Sequence, residues 1–190
     1  MVAQERAYVT QEAYLARERE AFEKSEYFEG ELYSMAGVTK QHNRIKENLS
    51  GEIGHHLKGK QCQLFSSDFR VHIPQNSLYA YPDLIVVCGE LELLDDAFDT
   101  LLNPSVLVEI NSNTTGGYDK NAKFSLYRDI PTLREYLLID SRRVKVEVWH
   151  KPQTGVWSLA KETNQLGDHI FVDAIRLTLP LTSVYDRVQW

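Results

Sequence analysis

Ile45, Leu49, Ile53 and Leu57 recur every four residues, so residues 39–58 are predicted to fold as a helix with one apolar stripe. Residues 84–88 and 106–110 follow another pattern. They are almost continuously apolar, as expected of central strands covered on both faces. Val144, Val146 and Val148 alternate with Lys145, Glu147 and Trp149, the mark of a half-exposed strand. A helix is expected over 10–24, with Thr10 as its cap, and a hairpin over 26–35 that turns at Glu29-Gly30. Short strands are expected at 62–65 and 69–73, and a loop over 74–81. Residues 118–128 read as a helix ended by Pro131, and 135–139 as another apolar strand. Gly155 turns the chain into 156–161, and Phe171-Val172 and 177–181 edge the core. The acidic stretch 90–99 reads as a solvated loop or short helix, and 111–117 as a loop.

This order mixes helices and strands without strict alternation. It predicts an α/β chain of the α+β kind, a mixed sheet with helices packed on it, rather than a doubly wound parallel sheet. A length of 190 residues fits one domain, with a core over about 10–150 and C-terminal strands over 151–190. At 43% hydrophobic and 25% charged, the composition is that of a globular protein with its own core. No apolar run approaches the roughly 18 residues of a membrane span. No basic region followed by an apolar one opens the chain, so the expected compartment is the cytoplasm. Cys62 and Cys88 form no CxxC and have no metal-ligand spacing, and are expected as two free thiols in or near the core.

The net charge of −6 argues against a protein that coats nucleic acid. It leaves room for an enzyme that meets DNA through a local basic patch and a metal ion. Asp83 opens the 84–88 run and Glu109 lies near the end of the 106–110 run. Buried carboxylates are costly unless a partner compensates them. If the two strands pair antiparallel, the start of one adjoins the end of the other, and both carboxylates meet at one edge of the sheet. Mg²⁺ suits such a pair, because it takes oxygen ligands and keeps several waters. Lys123 follows on the next helix, four residues after Asp119 and four before Tyr127. It can position a water or neutralise a phosphate. A plain Asp119–Lys123 surface pair is the bland alternative.

These residues carry a resemblance. Tyr81-Pro82-Asp83, Glu109-Ile110-Asn111-Ser112, Asp119-xxx-Lys123-xxx-Tyr127 and the segment from Arg134 to Asp140 resemble the bacterial "putative restriction endonuclease" family of the PD-(D/E)XK nuclease superfamily. The upstream Tyr27-Phe28-Glu29-Gly30-Glu31-Leu32 resembles that family's acidic hairpin, and His42 its histidine on the next helix. The resemblance spans residues 10–150 and implies a restriction-endonuclease-like core, helices flanking a central mixed sheet. It implies divalent-metal-dependent DNA cleavage with Mg²⁺ or Mn²⁺, and a homodimer. It makes Asp83 and Glu109 metal ligands, Lys123 the catalytic lysine, Glu31 an additional acid, and His42 a proton shuttle or phosphate contact. The superfamily's usual lysine stands two residues after the glutamate, where this chain has Asn111. In the family that role moves to the following helix, as Lys123 does.

His55 and His56 are adjacent and face different sides of their helix, so they are read as structural. Asp68 is read as a turn residue. The clusters Lys40, Arg44, Lys46 and Arg142, Arg143, Lys145 read as solvated faces, or as phosphate contacts. Two rival functions remain. One is a catalytically inactive nucleic-acid-binding or regulatory protein on a nuclease fold. The other is an interaction module that uses the acidic 90–99 segment.

Overall fold

The computed structural model describes residues 8–35, 37–111, 120–153 and 155–190. The chain opens with α1 (Gln11–Glu20), capped by Thr10, whose Oγ1 accepts from the Ala13 N–H at 3.2 Å. A hairpin follows, β1 (Ser25–Phe28) and β2 (Glu31–Ser34). Its turn needs left-handed backbone at Glu29 (φ 48°) and Gly30 (φ 85°), which glycine adopts freely. Next come α2 (Lys40–Leu57), β3 (Cys62–Ser66), β4 (Arg70–Ile73), β5 (Leu78–Ala80), β6 (Leu84–Cys88) and β7 (Thr100–Leu101). Then follow β8 (Val106–Asn111), α3 (Lys120–Tyr127), β9 (Glu135–Asp140), β10 (Val146–His150) and β11 (Ser158–Thr163). The chain ends with β12 (His169–Val172), β13 (Leu177–Pro180) and α4 (Leu181–Val184).

Among the described residues the central sheet has the order β11-β10-β9-β8-β6-β3. Only its β8–β9 pair is parallel, so the sheet is mixed. The central strands alternate between two cores. Leu84, Val86, Val106 and Val108 face the Ile45, Leu49, Ile53 and Leu57 stripe of α2, together with β12, β13 and α4. Ile85, Val87, Leu107 and Tyr136 face the opposite way, onto Val71, Ile73, Leu78 and Ala80 of a second sheet and onto Tyr127, Ile130 and Leu133. That second sheet has the order β2-β1-β5-β4-β7. The fold is therefore α/β, a central mixed sheet sandwiched between helices and a smaller sheet. Each fully buried Ile or Leu of the α2 stripe contributes roughly 1.5–3 kcal/mol. No helix among the described residues is long and apolar enough to cross a membrane.

Two expectations are corrected. The segment 74–81 is not a simple loop, because β5 lies within it and is fully buried between β4 and β1. Three residues are too few to show a period, and a tight turn hides the strand's start. In that turn the Leu78 N–H bonds Asn76 Oδ1, and Ser77 takes φ 62°. Cys62 and Cys88 are not free thiols. They form a disulfide, because antiparallel β3–β6 pairing sets them directly opposite each other. The register that joins them belongs to the tertiary fold and leaves no mark in their spacing. The 90–99 segment is mostly loop, as expected, and Arg19 ties down Asp95 and Asp99 there.

Candidate active site

Pro82 precedes β6 and leads into Asp83 at the sheet edge. The β6–β8 pair is antiparallel with Leu84 opposite Val108, so Asp83 and Glu109 fall at the same end. Asp83 Oδ2 accepts from the Ile110 backbone N–H at 2.8 Å and faces His42 Nε2 at 3.1 Å. His42 stands in the first turn of α2, where Thr39 Oγ1 accepts from the His42 N–H. The His42–Asp83 pair is mostly buried, with side chains 5% and 13% exposed. A carboxylate only accepts, so His42 presents Nε2–H to Asp83. Its Nδ1 is buried without a hydrogen-bond partner among the described residues.

Glu109 meets α3. Its Oε1 accepts from the Tyr127 hydroxyl at 2.7 Å and lies 2.9 Å from Lys123 Nζ. Lys123 and Tyr127 are one helical turn apart, so both reach the same carboxylate. Lys123 Nζ also donates to Glu26 Oε1 at 2.7 Å, and that oxygen accepts the Tyr81 N–H at 3.1 Å. Tyr81 is itself anchored, with its hydroxyl between Arg70 and Glu18. The ammonium of Lys123 therefore joins carboxylates from β1 and β8.

Burial, the nearby Asp83 and Glu26 charges and incomplete compensation by Lys123 push the Glu109 carboxyl up to about 7. Burial alone would lower Lys123, but the Glu109 and Glu26 carboxylates reverse it and hold the ammonium above its ordinary value. Lys123 is therefore a fixed positive charge and not a proton acceptor near neutral pH. Burial and Glu109 together push the Tyr127 phenol well up, so it stays a donor.

The residues singled out in the sequence divide clearly. Asp83, Glu109, Lys123 and His42 are brought together. Glu31 is exposed at the start of β2, where its Oε2 accepts from the Tyr33 hydroxyl. It shares the hairpin face of Glu26, since Phe28 pairs with Glu31 and Glu26 with Tyr33, but Lys123 bonds Glu26. Sequence reasoning missed Glu26. The available signal was a glutamate alternating with the buried Tyr27 on a strand. Asn111, at the usual lysine position, has a buried Nδ2 without a partner among the described residues. Asp119 and Ser112 lie outside the described residues. Asp68 sits in a turn closed by Phe69 N–H to Ser66 O, as expected. His56 bonds the Ile175 carbonyl, a structural role. Arg142 and Arg143 pair with Asp140, and Lys145 with Glu147 and Glu162.

Among the described residues no group of three or more His, Cys, Asp and Glu side chains forms a ready-made metal cage. The donor set still suits an ion held by two carboxylates and water. Two carboxylates, Glu26 and Glu109, share Lys123, and burial first, with the Asp83 and Glu26 charges added, raises Glu109 despite that lysine. Mg²⁺ is commonly held by one or two carboxylates, several waters and a substrate phosphate.

Residues 11–182 match the Uma2 family model, which is described as "Putative restriction endonuclease". The chain is 38% identical over 161 residues to "Uncharacterized protein sll1609" of Synechocystis sp. (strain ATCC 27184 / PCC 6803 / Kazusa), covering 85% of this chain and 91% of that one. It is 34% identical over 174 residues to "Uncharacterized protein slr1290" of the same organism, covering 92% and 90%. A crystal structure of "a putative nuclease belonging to DUF820" from Anabaena variabilis ATCC 29413 superposes with a TM-score of 0.69. It covers 87% of this chain and 92% of that one at 16% identity, so the likeness is one of fold.

Proposed function

Because the chain belongs to the Uma2 family, described as "Putative restriction endonuclease", we propose that it is a divalent-metal-dependent endonuclease that hydrolyses DNA phosphodiester bonds. One observation carries the reading: Lys123 bridges Glu109 and Glu26 at the sheet edge that also holds Asp83. Asp83 and Glu109 would hold Mg²⁺ or Mn²⁺. When bound, the ion supplies Lewis-acid stabilisation and an activated water.

The protein's own residues do the positioning. His42 and the Ile110 N–H fix the Asp83 carboxylate. Tyr127 and Lys123 fix Glu109. The permanently charged Lys123 offsets negative charge building on the phosphate, where a preorganised cation is worth most. Glu26 holds that ammonium in place. In this reading it fills the role of the additional acid that the hairpin motif had suggested for Glu31.

The test is conversion of supercoiled plasmid to nicked or linear DNA with Mg²⁺ or Mn²⁺. Wild type is expected to cleave, and Asp83→Ala and Lys123→Met to fall to background. Equal conversion by wild type and Asp83→Ala sinks the proposal.

A further inference from the structure

On the Asp83 side of the site two lysines converge on one turn. Lys24, just before β1, donates its Nζ to the Ser67 carbonyl at 3.1 Å. Lys46 on α2 donates to Ser67 Oγ at 2.8 Å. Three tethers place this pair near Asp83. Lys46 follows His42 by one helical turn on the same face, and His42 bonds Asp83. Ser66 pairs with Leu84, so the turn abuts the residue after Asp83. Lys24 Nζ also lies 5.4 Å from the Tyr81 ring centroid, two residues before Asp83.

Two ammonium groups drawn to one serine repel each other unless an anion lies between or near them. In the free protein that anion is Asp68, which pairs with Lys24 and whose carboxyl is held low by Lys24 and, more weakly, by Lys46. The Asp68 side chain is 84% exposed and the Lys24 side chain 37% exposed. Exposed pairs are worth only about 0–1 kcal/mol, so an incoming anion can displace the carboxylate cheaply. The function read from the carboxylate site uses neither lysine.

We propose that Lys24, Lys46 and Ser67 form a subsite for a backbone phosphate of the nucleic acid, adjoining the one cleaved, and that Asp68 fills it when no substrate is bound. The subsite rests on the nuclease reading and names a positioning element for it. The two lysines and the serine hydroxyl donate to the phosphate oxygens, and Asp68 swings out to solvent. Lys123, paired with Glu109 and Glu26, then serves the phosphate being cut.

The experiment is fluorescence anisotropy of a labelled DNA duplex against the full chain over a series of salt concentrations. Ca²⁺ replaces Mg²⁺ so that binding is read without cleavage. The Lys24→Gln/Lys46→Gln variant is expected to bind about tenfold or more weakly. Its slope of log affinity against log salt should be shallower by about one, the value for one lost phosphate contact. Asp68→Asn is expected to bind several-fold more tightly at low salt. Removing equal charge elsewhere, with Lys161→Gln/Arg187→Gln, should leave the slope unchanged. Circular dichroism and thermal unfolding check that each variant folds. If wild type binds DNA and the Lys24/Lys46 variant binds with the same affinity and slope, the subsite is wrong and the nuclease reading survives. If wild type binds no DNA at any salt, both fall.

Discussion

Lys123 Nζ stands 2.9 Å from Glu109 Oε1, a contact that ties the first helix after β8 back to β8 itself. A buried pair of this kind gains little net stability over apolar side chains, since two charges leave water to form it. Here it also does something an apolar pair cannot. The lysine keeps a permanent positive charge beside a carboxylate whose own ionisation is only half complete near neutral pH. Glu109 is thereby the adjustable element of the site.

Stability should carry the signature of that element. In the unfolded chain Glu109 titrates at its ordinary 4.5, and in the folded protein at about 7. Between those values the native state holds the extra proton, so this group's contribution to stability declines as pH rises. The contribution is fully present below about 4.5 and lost above about 7. Urea unfolding of wild type and Glu109→Gln at a series of pH values from 4 to 8 reads it directly. The variant should lose less stability across the window than wild type. Parallel curves would show that Glu109 ionises normally.

Glu26 and Glu31 offer a direct contrast. Glu26→Gln removes a charged partner of the buried Lys123, and plasmid cleavage should fall by about tenfold or more, with some loss of stability. Glu31→Gln alters an exposed side chain on the same hairpin face and should leave cleavage within about twofold, as surface changes usually do. Parallel plasmid assays decide between them. The reverse order would return the additional acid to Glu31.

That contrast marks how far the site was legible. Asp83 and Glu109 were readable because each is a charge in an apolar run, and antiparallel pairing of those runs makes them neighbours. Lys123 and His42 needed the motif resemblance, since a lysine or histidine on a helix has many ordinary explanations. Glu26 was hidden because period-2 alternation identifies a face and does not say which of its two acids reaches across the sheet. Lys24, Lys46 and Ser67 come from three separate segments and share no spacing at all. In the fold, the long apolar periods of α2 and β8 were plain. The three-residue β5 and the two-residue β7 are held by tertiary pairing and left no period to read. The Cys62–Cys88 bond was missed for a related reason, because spacing shows nothing of strand register.

The disulfide closes the chain from β3 through β6, its cysteines lying 26 positions apart in the sequence. A loop of that size implies about 3 kcal/mol of stabilisation, chiefly through the unfolded state. Thiol titration of the folded, unreduced protein should find none, and both cysteines should titrate after denaturation and reduction. Cys62→Ser/Cys88→Ser should unfold at lower urea but still cleave, because the bond lies at the opposite end of β6 from Asp83. Two reactive thiols in the unreduced protein would refute the pairing.

Tyr127 isolates the tuning of Glu109 from its position. The phenol is fully buried, and its hydroxyl donates to Glu109 Oε1 at 2.7 Å. That bond favours the ionised carboxylate and lowers its pKa, against the larger upward push of burial. Tyr127→Phe keeps the ring in the core and removes only the donor. Glu109 should then titrate above about 7, so fewer molecules present a carboxylate ready for metal at neutral pH. Below the new value metal affinity should fall about tenfold per pH unit, as for any ligand that must lose one proton to bind. The expected result is a loss of Mg²⁺ affinity and cleavage near pH 7 that is largely restored near pH 9. Isothermal titration with Mg²⁺ and plasmid cleavage across that range measure both. A purely structural role for Tyr127 would depress activity equally at every pH, and that outcome would remove Glu109 ionisation as the controlled variable.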